Sequence, residues 1–179
     1  MKRSIASVFI LLSFFASRAW AEAEWLSYDS KPVEGTSYSV QYPADWELKE
    51  LSPASVAFVS PEGFFTSVTV SMQNLRREGQ ETPTLEQYID GYDGMVGKYL
   101  GSYKRLERAP ETLSGLPAFV TRFSATDRKD PKWQMETRVY TLITPNAQAV
   151  DVAYTSTPAS YGTFVDTADR IMKSFELKK

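Results

Sequence analysis

The chain has 179 residues, a formal charge of −2, and neither histidine nor cysteine. Ser-His-Asp and Cys-His mechanisms, disulfides and an ordinary structural zinc site are therefore excluded, because the chain owns none of the side chains they require. The weakly acidic balance argues against nucleic acid or an anionic membrane as the main partner, since both reward clustered positive charge.

In chain order, Lys2 and Arg3 make a basic start, Ile5 to Phe15 an apolar run, and Ala19-Trp20-Ala21 a small-residue site. That order is a secretory signal peptide, so residues 1–21 are expected to be removed and residues 22–179 to form a single globular domain. The apolar run is shorter than the roughly 20 residues that span a bilayer, which argues against a retained anchor. Without cysteine there is no lipidation site at the cut. The mature chain is expected in the periplasm or outside the cell, with no stable membrane anchor.

Tyr38, Val40 and Tyr42 alternate with polar neighbours and predict a strand that Pro43-Ala44-Asp45 ends. Val56–Val59 and the alternating Val68, Val70 and Met72 predict a hairpin across Pro61-Glu62-Gly63. The period then becomes helical: Leu85, Tyr88, Ile89, Tyr92, Met95, Val96 and Tyr99 recur at three or four, behind a Thr84/Gln87 capping-box pair. Period two returns in Tyr103–Leu113 and Leu116–Thr126, which are separated by a Ser114-Gly115 turn. Residues 127–132 are wholly polar and read as an exposed loop. Strands over about Gln134–Thr144 and Ala147–Thr155 are joined at Pro145-Asn146, and a second helix starts at Thr157-Pro158 with an apolar stripe from Tyr161 to Phe175. Runs of strands with two helices set among them predict an α+β fold with a mostly antiparallel sheet of about six or seven strands.

Three stretches resemble the PsbP-like fold family: Tyr38-Ser-Val-Gln-Tyr-Pro-Ala-Asp-Trp46 its opening strand, Leu113-Ser-Gly-Leu-Pro-Ala118 its turn into a middle strand, and Ser174-Phe175-Glu-Leu177 the end of its last helix. The resemblance covers most of the mature chain. It implies an α/β/α sandwich, and accessory, assembly or protein-binding roles more than catalysis. Metal sites of photosynthetic members use histidine, so they do not carry over to a chain with none. A shared fold by itself says little about function.

Four features bear on function. Trp46, just past a proline turn, reads as a plug at the core edge, with ligand stacking as the alternative. The loop residues Asp127, Arg128, Lys129, Asp130 and Lys132 surround the aromatic Trp133, which reads either as a contact surface with an anchor or as a solvated hairpin tip. Gly91, Gly94 and Gly97 fall on the side of the first helix opposite its apolar stripe. Relative to alanine they cost roughly 2–3 kcal/mol, which fits close approach of another backbone or drift in a helix held by its other face. The carboxylates Asp90, Asp93, Asp127 and Asp130 lack the dense pattern of a calcium loop and read as solvated charge. Phosphate-loop, dinucleotide and serine-hydrolase motifs are absent from the sequence.

The expected function is that of an exported accessory protein of the cell envelope that binds a protein or small ligand, with no catalytic residue, metal or cofactor. Its candidate partner surface is Gly91, Gly94 and Gly97 together with residues 127–133. A carboxylate-dependent hydrolase and a carrier of an apolar ligand, the latter motivated by 13% aromatic content, are the alternatives.

Overall fold

The chain forms ten strands and two helices among residues 24–178, the part described by the computed structural model. The expected signal segment, residues 1–21, lies outside the described residues. Strands β1 (Trp25–Asp29), β2 (Ser37–Pro43), β3 (Glu47–Ser52), β4 (Ser55–Val59) and β5 (Ser67–Asn74) precede helix α1 (Leu85–Tyr99). Then come β6 (Gly101–Leu113), β7 (Leu116–Thr126), β8 (Gln134–Ile143), β9 (Gln148–Ser156), α2 (Pro158–Lys173) and β10 (Glu176–Lys178).

Seven strands pair in the order β3-β4-β5-β9-β8-β7-β6, and β1-β2-β10 form a smaller sheet. Every pairing is antiparallel. Successive side chains along each strand point to opposite faces of the large sheet. Val56, Phe58, Val68, Val70, Val150, Val152 and Tyr154 lie on one face and pack against the small sheet and α2 in the main core. On the other face a smaller cluster joins Val96 of α1 to Phe123, Ala125 and Val139. Helices thus flank an antiparallel sheet, with the small sheet sharing the layer of α2.

The helix starts follow the predicted chemistry. Thr84 Oγ1 accepts from the Gln87 N–H at 3.3 Å while the Gln87 side chain accepts from the Thr84 N–H at 2.9 Å, satisfying two donors that α1 leaves open. Thr157 caps α2 with Pro158 in its first turn, and Arg170 and Lys173 complement the dipole in the last. Ser114 and Gly115 both have positive φ, 53° and 73°, as a two-residue hairpin turn needs. Trp46 is 4% exposed and meets Phe164 edge-on at 6.0 Å, so it is a core residue.

Two expectations are corrected. Three short strands, β1, β3 and β10, were not predicted: their residues are mostly exposed and give no clean alternation. Ser174 to Leu177 is not the end of the last helix. Ser174 caps α2, its hydroxyl accepting from the Gln41 N–H at 2.8 Å and donating to the Ile171 carbonyl at 2.7 Å, and the chain then turns into β10 to pair with β2.

Candidate functional site

Helix α1 packs on the β6 and β8 side of the large sheet, so the same face extends beyond it over β5 and β9. There the outward positions are small and hydroxylated: Ser67, Thr69 and Ser71 on β5, and Ala153 and Thr155 on β9, in register with one another. The β4–β5 turn and the loop before β8 rise above this floor and enclose a groove of about 500 Å³.

Phe65 from the turn and Trp133 from the loop stack with ring centroids 4.3 Å apart. Their side chains stay 59% and 44% exposed, and Phe64 beside them is 51% exposed. Ser67, Thr69 and Thr155 line the bottom, and Met135 is shared between the groove and the α1 cluster. The sequence reading singled out Trp133 but missed Phe64 and Phe65. Their signal was two adjacent aromatics directly after a turn, a run that alternation cannot place on one face.

The loop is built around Asp127. Its carboxylate accepts from the backbone N–H of Lys129 at 2.6 Å and of Asp130 at 2.9 Å, and those bonds, Asp130's first, hold its pKa below the usual carboxylate value. Backbone bonds from Asp127 to Trp133 and from Trp133 to Asp130 close the loop. The Arg128 guanidinium donates to the Lys98 carbonyl at the end of α1, tying loop to helix. Lys129, Asp130 and Lys132 are exposed at the tip.

The three helical glycines lie at the surface. A Cβ at Gly91 or Gly94 would meet nothing within 4 Å, and one at Gly97 would make ordinary contact with Tyr103 at 3.8 Å. Among the described residues no backbone from outside the helix comes within 4 Å of such a Cβ. Gly97 faces β6, whereas Gly91 lines a second cleft, of about 380 Å³, between α1 and the segment that follows β5. Asp90 and Asp93 are paired with Arg108 at 2.7 Å and Arg105 at 2.6 Å, and Asp93 also accepts from the Tyr103 hydroxyl at 2.9 Å.

Behind Tyr88, which lines the second cleft, sits an acid the sequence reading did not select. Asp151 occupies β9, the middle strand of the seven, between Ser71 and Thr141 in the register. Thr141 donates to it at 2.6 Å, and the Tyr88 hydroxyl stands 3.5 Å from its other oxygen. Burial pushes its pKa up to about 6, with no neighbouring acid contributing. Burial first, then the Asp151 charge, raises Tyr92 to about 12. Among the described residues no three acidic side chains gather into a metal-holding group. The sequence signal for Asp151 was an acid between Val150 and Val152, which marks the face of β9 away from the main core.

No family model matches the sequence, and no curated protein is similar to it in sequence. Solved structures are similar in fold. The cyanobacterial PsbP protein CyanoP of Synechocystis superposes with a TM-score of 0.58 at 14% identity, over 89% of this chain and 96% of that one. LpqN of Mycobacterium tuberculosis, involved in cell envelope biogenesis, gives 0.59 at 14% identity over 87% and 92%. The Ran-binding protein Mog1p of Saccharomyces cerevisiae gives 0.56 at 10% identity over 86% and 96%. The chain therefore has the PsbP-like α+β fold that its sequence resembles. No described helix is long and apolar enough to cross a membrane.

Proposed function

We propose that the protein is exported to the cell envelope and binds another protein there, performing no chemistry, through the α1 face of its large sheet. The observation that carries this reading is the Phe65–Trp133 stack with Phe64 beside it, three large rings about half in water around one groove. Aromatic anchors grouped in water and rimmed by mixed charge have the composition of protein-binding hot spots. Asp127, Arg128, Lys129, Asp130 and Lys132 supply that rim. Arg128 joins it to the end of α1, so the bare backbone at Gly94 and Gly97 extends the docking surface along the helix.

Export is supported by the basic, apolar and small-residue order of residues 1–21. A fold shared with an envelope-biogenesis protein and with a Ran-binding protein is in keeping with a binding role. The carrier reading uses the same groove, but the hydroxyls of Ser67, Thr69 and Thr155 suit an extended peptide segment better than a wholly apolar ligand. The hydrolase reading gains no support from Asp151, whose raised pKa comes from burial and not from a paired acid.

Photo-crosslinking from position 64 in envelope preparations tests the proposal. One dominant protein adduct is expected, and it is lost when Phe65→Ala and Trp133→Ala are combined. The absence of any adduct overturns the docking reading, and an intact mass that retains Met1 to Ala21 overturns export.

A further inference from the structure

The cleft beside α1 combines two features that the docking surface does not use. Its walls are aromatic: Tyr88 and Tyr92, one turn apart on the helix, face each other at 6.5 Å between centroids with planes 29° apart, and Met95 continues the wall. Behind the Tyr88 wall, 3.5 Å from its hydroxyl, lies a carboxylate without a cation, that of Asp151. None of the ion pairs among the described residues includes Asp151.

Among the described residues the one short side-chain hydrogen bond to that carboxylate comes from Thr141. Tyr88 offers a single hydroxyl proton to both Gln73 Oε1, at 3.4 Å, and Asp151 Oδ2, at 3.5 Å, and both distances are long for an O–H donor. A phenol leaning on a carboxylate gains electron density in its ring, which strengthens the attraction of the ring face for a cation. The lining itself holds one cation, Arg77, and one anion, Glu81, so the carboxylate of Asp151 behind Tyr88 adds a negative charge to a lining of balanced sign. Gly91 keeps the mouth of the cleft open between Tyr88 and Tyr92, because a side chain there would grow into it and meet no other part of the fold.

We propose that this cleft binds a small organic ammonium ion, its cationic head against the rings of Tyr88 and Tyr92, with the carboxylate of Asp151 behind Tyr88 supplying negative charge and Gly91 providing the entrance. Aromatic walls recognise methylated ammonium groups because such a head spreads its charge over a weakly hydrated surface. The volume of about 380 Å³ suits a metabolite-sized ligand. This site stands independently of the docking reading.

Choline is the probe, and its carbon analogue with tert-butyl in place of trimethylammonium is the neutral control, at matched ionic strength. Amide chemical-shift titration of the full mature chain is expected to show saturable shifts at Gly91 and Tyr92 with choline and none with the neutral analogue. Gly91→Leu abolishes the shifts, and Asp151→Asn and Tyr92→Leu each weaken binding roughly tenfold or more, while spectral dispersion shows each variant folded. Choline vesicle lipid, phosphatidylcholine, distinguishes the source: co-sedimentation that Gly91→Leu abolishes assigns the ion to a lipid headgroup, and binding of free choline alone assigns it to a soluble ligand. The proposal is overturned if choline gives no saturable shift, if the neutral analogue binds equally, or if Gly91→Leu binds choline as the wild type does.

Discussion

Thr141 on β8 and Asp151 on β9 stand directly opposite each other, and the threonine hydroxyl donates to the carboxylate across 2.6 Å. That bond favours the ionised acid, yet burial outweighs it and leaves Asp151 near 6 instead of 3.8. A carboxyl whose folded pKa is raised stabilises the fold fully below its unfolded value, and the contribution is lost as pH rises through the folded one. The full span is worth about 3 kcal/mol. Wild-type thermal stability is therefore expected to carry a decline from this group as pH rises from about 4 to 7. Asp151→Asn removes it: the variant melts higher than wild type at neutral pH and the two converge in acid, as calorimetry across that range checks. Equal melting temperatures at neutral pH would show that the acid is better solvated than its position implies.

The aromatic stack and the core differ in what they hold together. Phe65 and Trp133 are about half in water, whereas Phe58 is wholly buried between Tyr28 and Tyr42. Phe65→Ala and Trp133→Ala are expected to cost about 1 kcal/mol or less each, and Phe58→Ala about 3–5 kcal/mol. Urea melts rank the three. A Trp133→Ala loss as large as that of Phe58→Ala would make the stack a structural element and remove the reason for calling it a docking anchor.

How far the sequence reached depended on whether one element's own residues carried the information. Leu116–Thr126 was predicted with the boundaries it has, and α1 with its Thr84 cap, because period and capping are local. β3 escaped notice because it is an edge strand, paired only with β4, so neither of its faces has to be continuously apolar. β10 is three residues long and exists through its pairing with β2, far away in sequence. The candidate sites show the same limit. Trp133 was visible beside a charged loop, but its partner Phe65 is brought to it by the pairing of β5 with β9 and β9 with β8. Asp151 and Tyr88 meet only because α1 folds back over the sheet, a relationship no local pattern encodes.

Tyr154 tests how the main core satisfies its buried polar atoms. Its ring is fully buried against Tyr161, and its hydroxyl donates to the Tyr161 carbonyl in the first turn of α2 at 2.9 Å. Tyr154→Phe keeps the packing and removes the donor, so a loss of about 1 kcal/mol is expected. The same variant should accelerate hydrogen exchange at the start of α2 more than in β7. Uniform acceleration across the domain would mean that the bond reports global stability and not the seating of that helix.

The glycines supply the last test, because space separates those that a structure needs from those it tolerates. At Gly94 an added methyl meets nothing within 4 Å and the backbone is helical, so Gly94→Ala gains helix propensity and should raise stability by about 1 kcal/mol. Gly101 is the opposite case. It lies just past the α1 cap, opposite Thr126 in the register, where a Cβ would stand 2.6 Å from Thr126 Oγ1 and 3.6 Å from the backbone of Asp127 and Arg128. The close approach that helical glycines suggested in sequence thus occurs two residues beyond the helix, where the loop before β8 crosses its end. Gly101→Ala must push Thr126 or that loop aside, at about 1–3 kcal/mol, and the shift should reach Arg128 at the Lys98 carbonyl. Thermal melts of the two variants should therefore move in opposite directions. If Gly94→Ala destabilises, the exposed side of α1 is covered by something other than water, and a concentration-dependent melting temperature would identify the cover as a second copy of the chain.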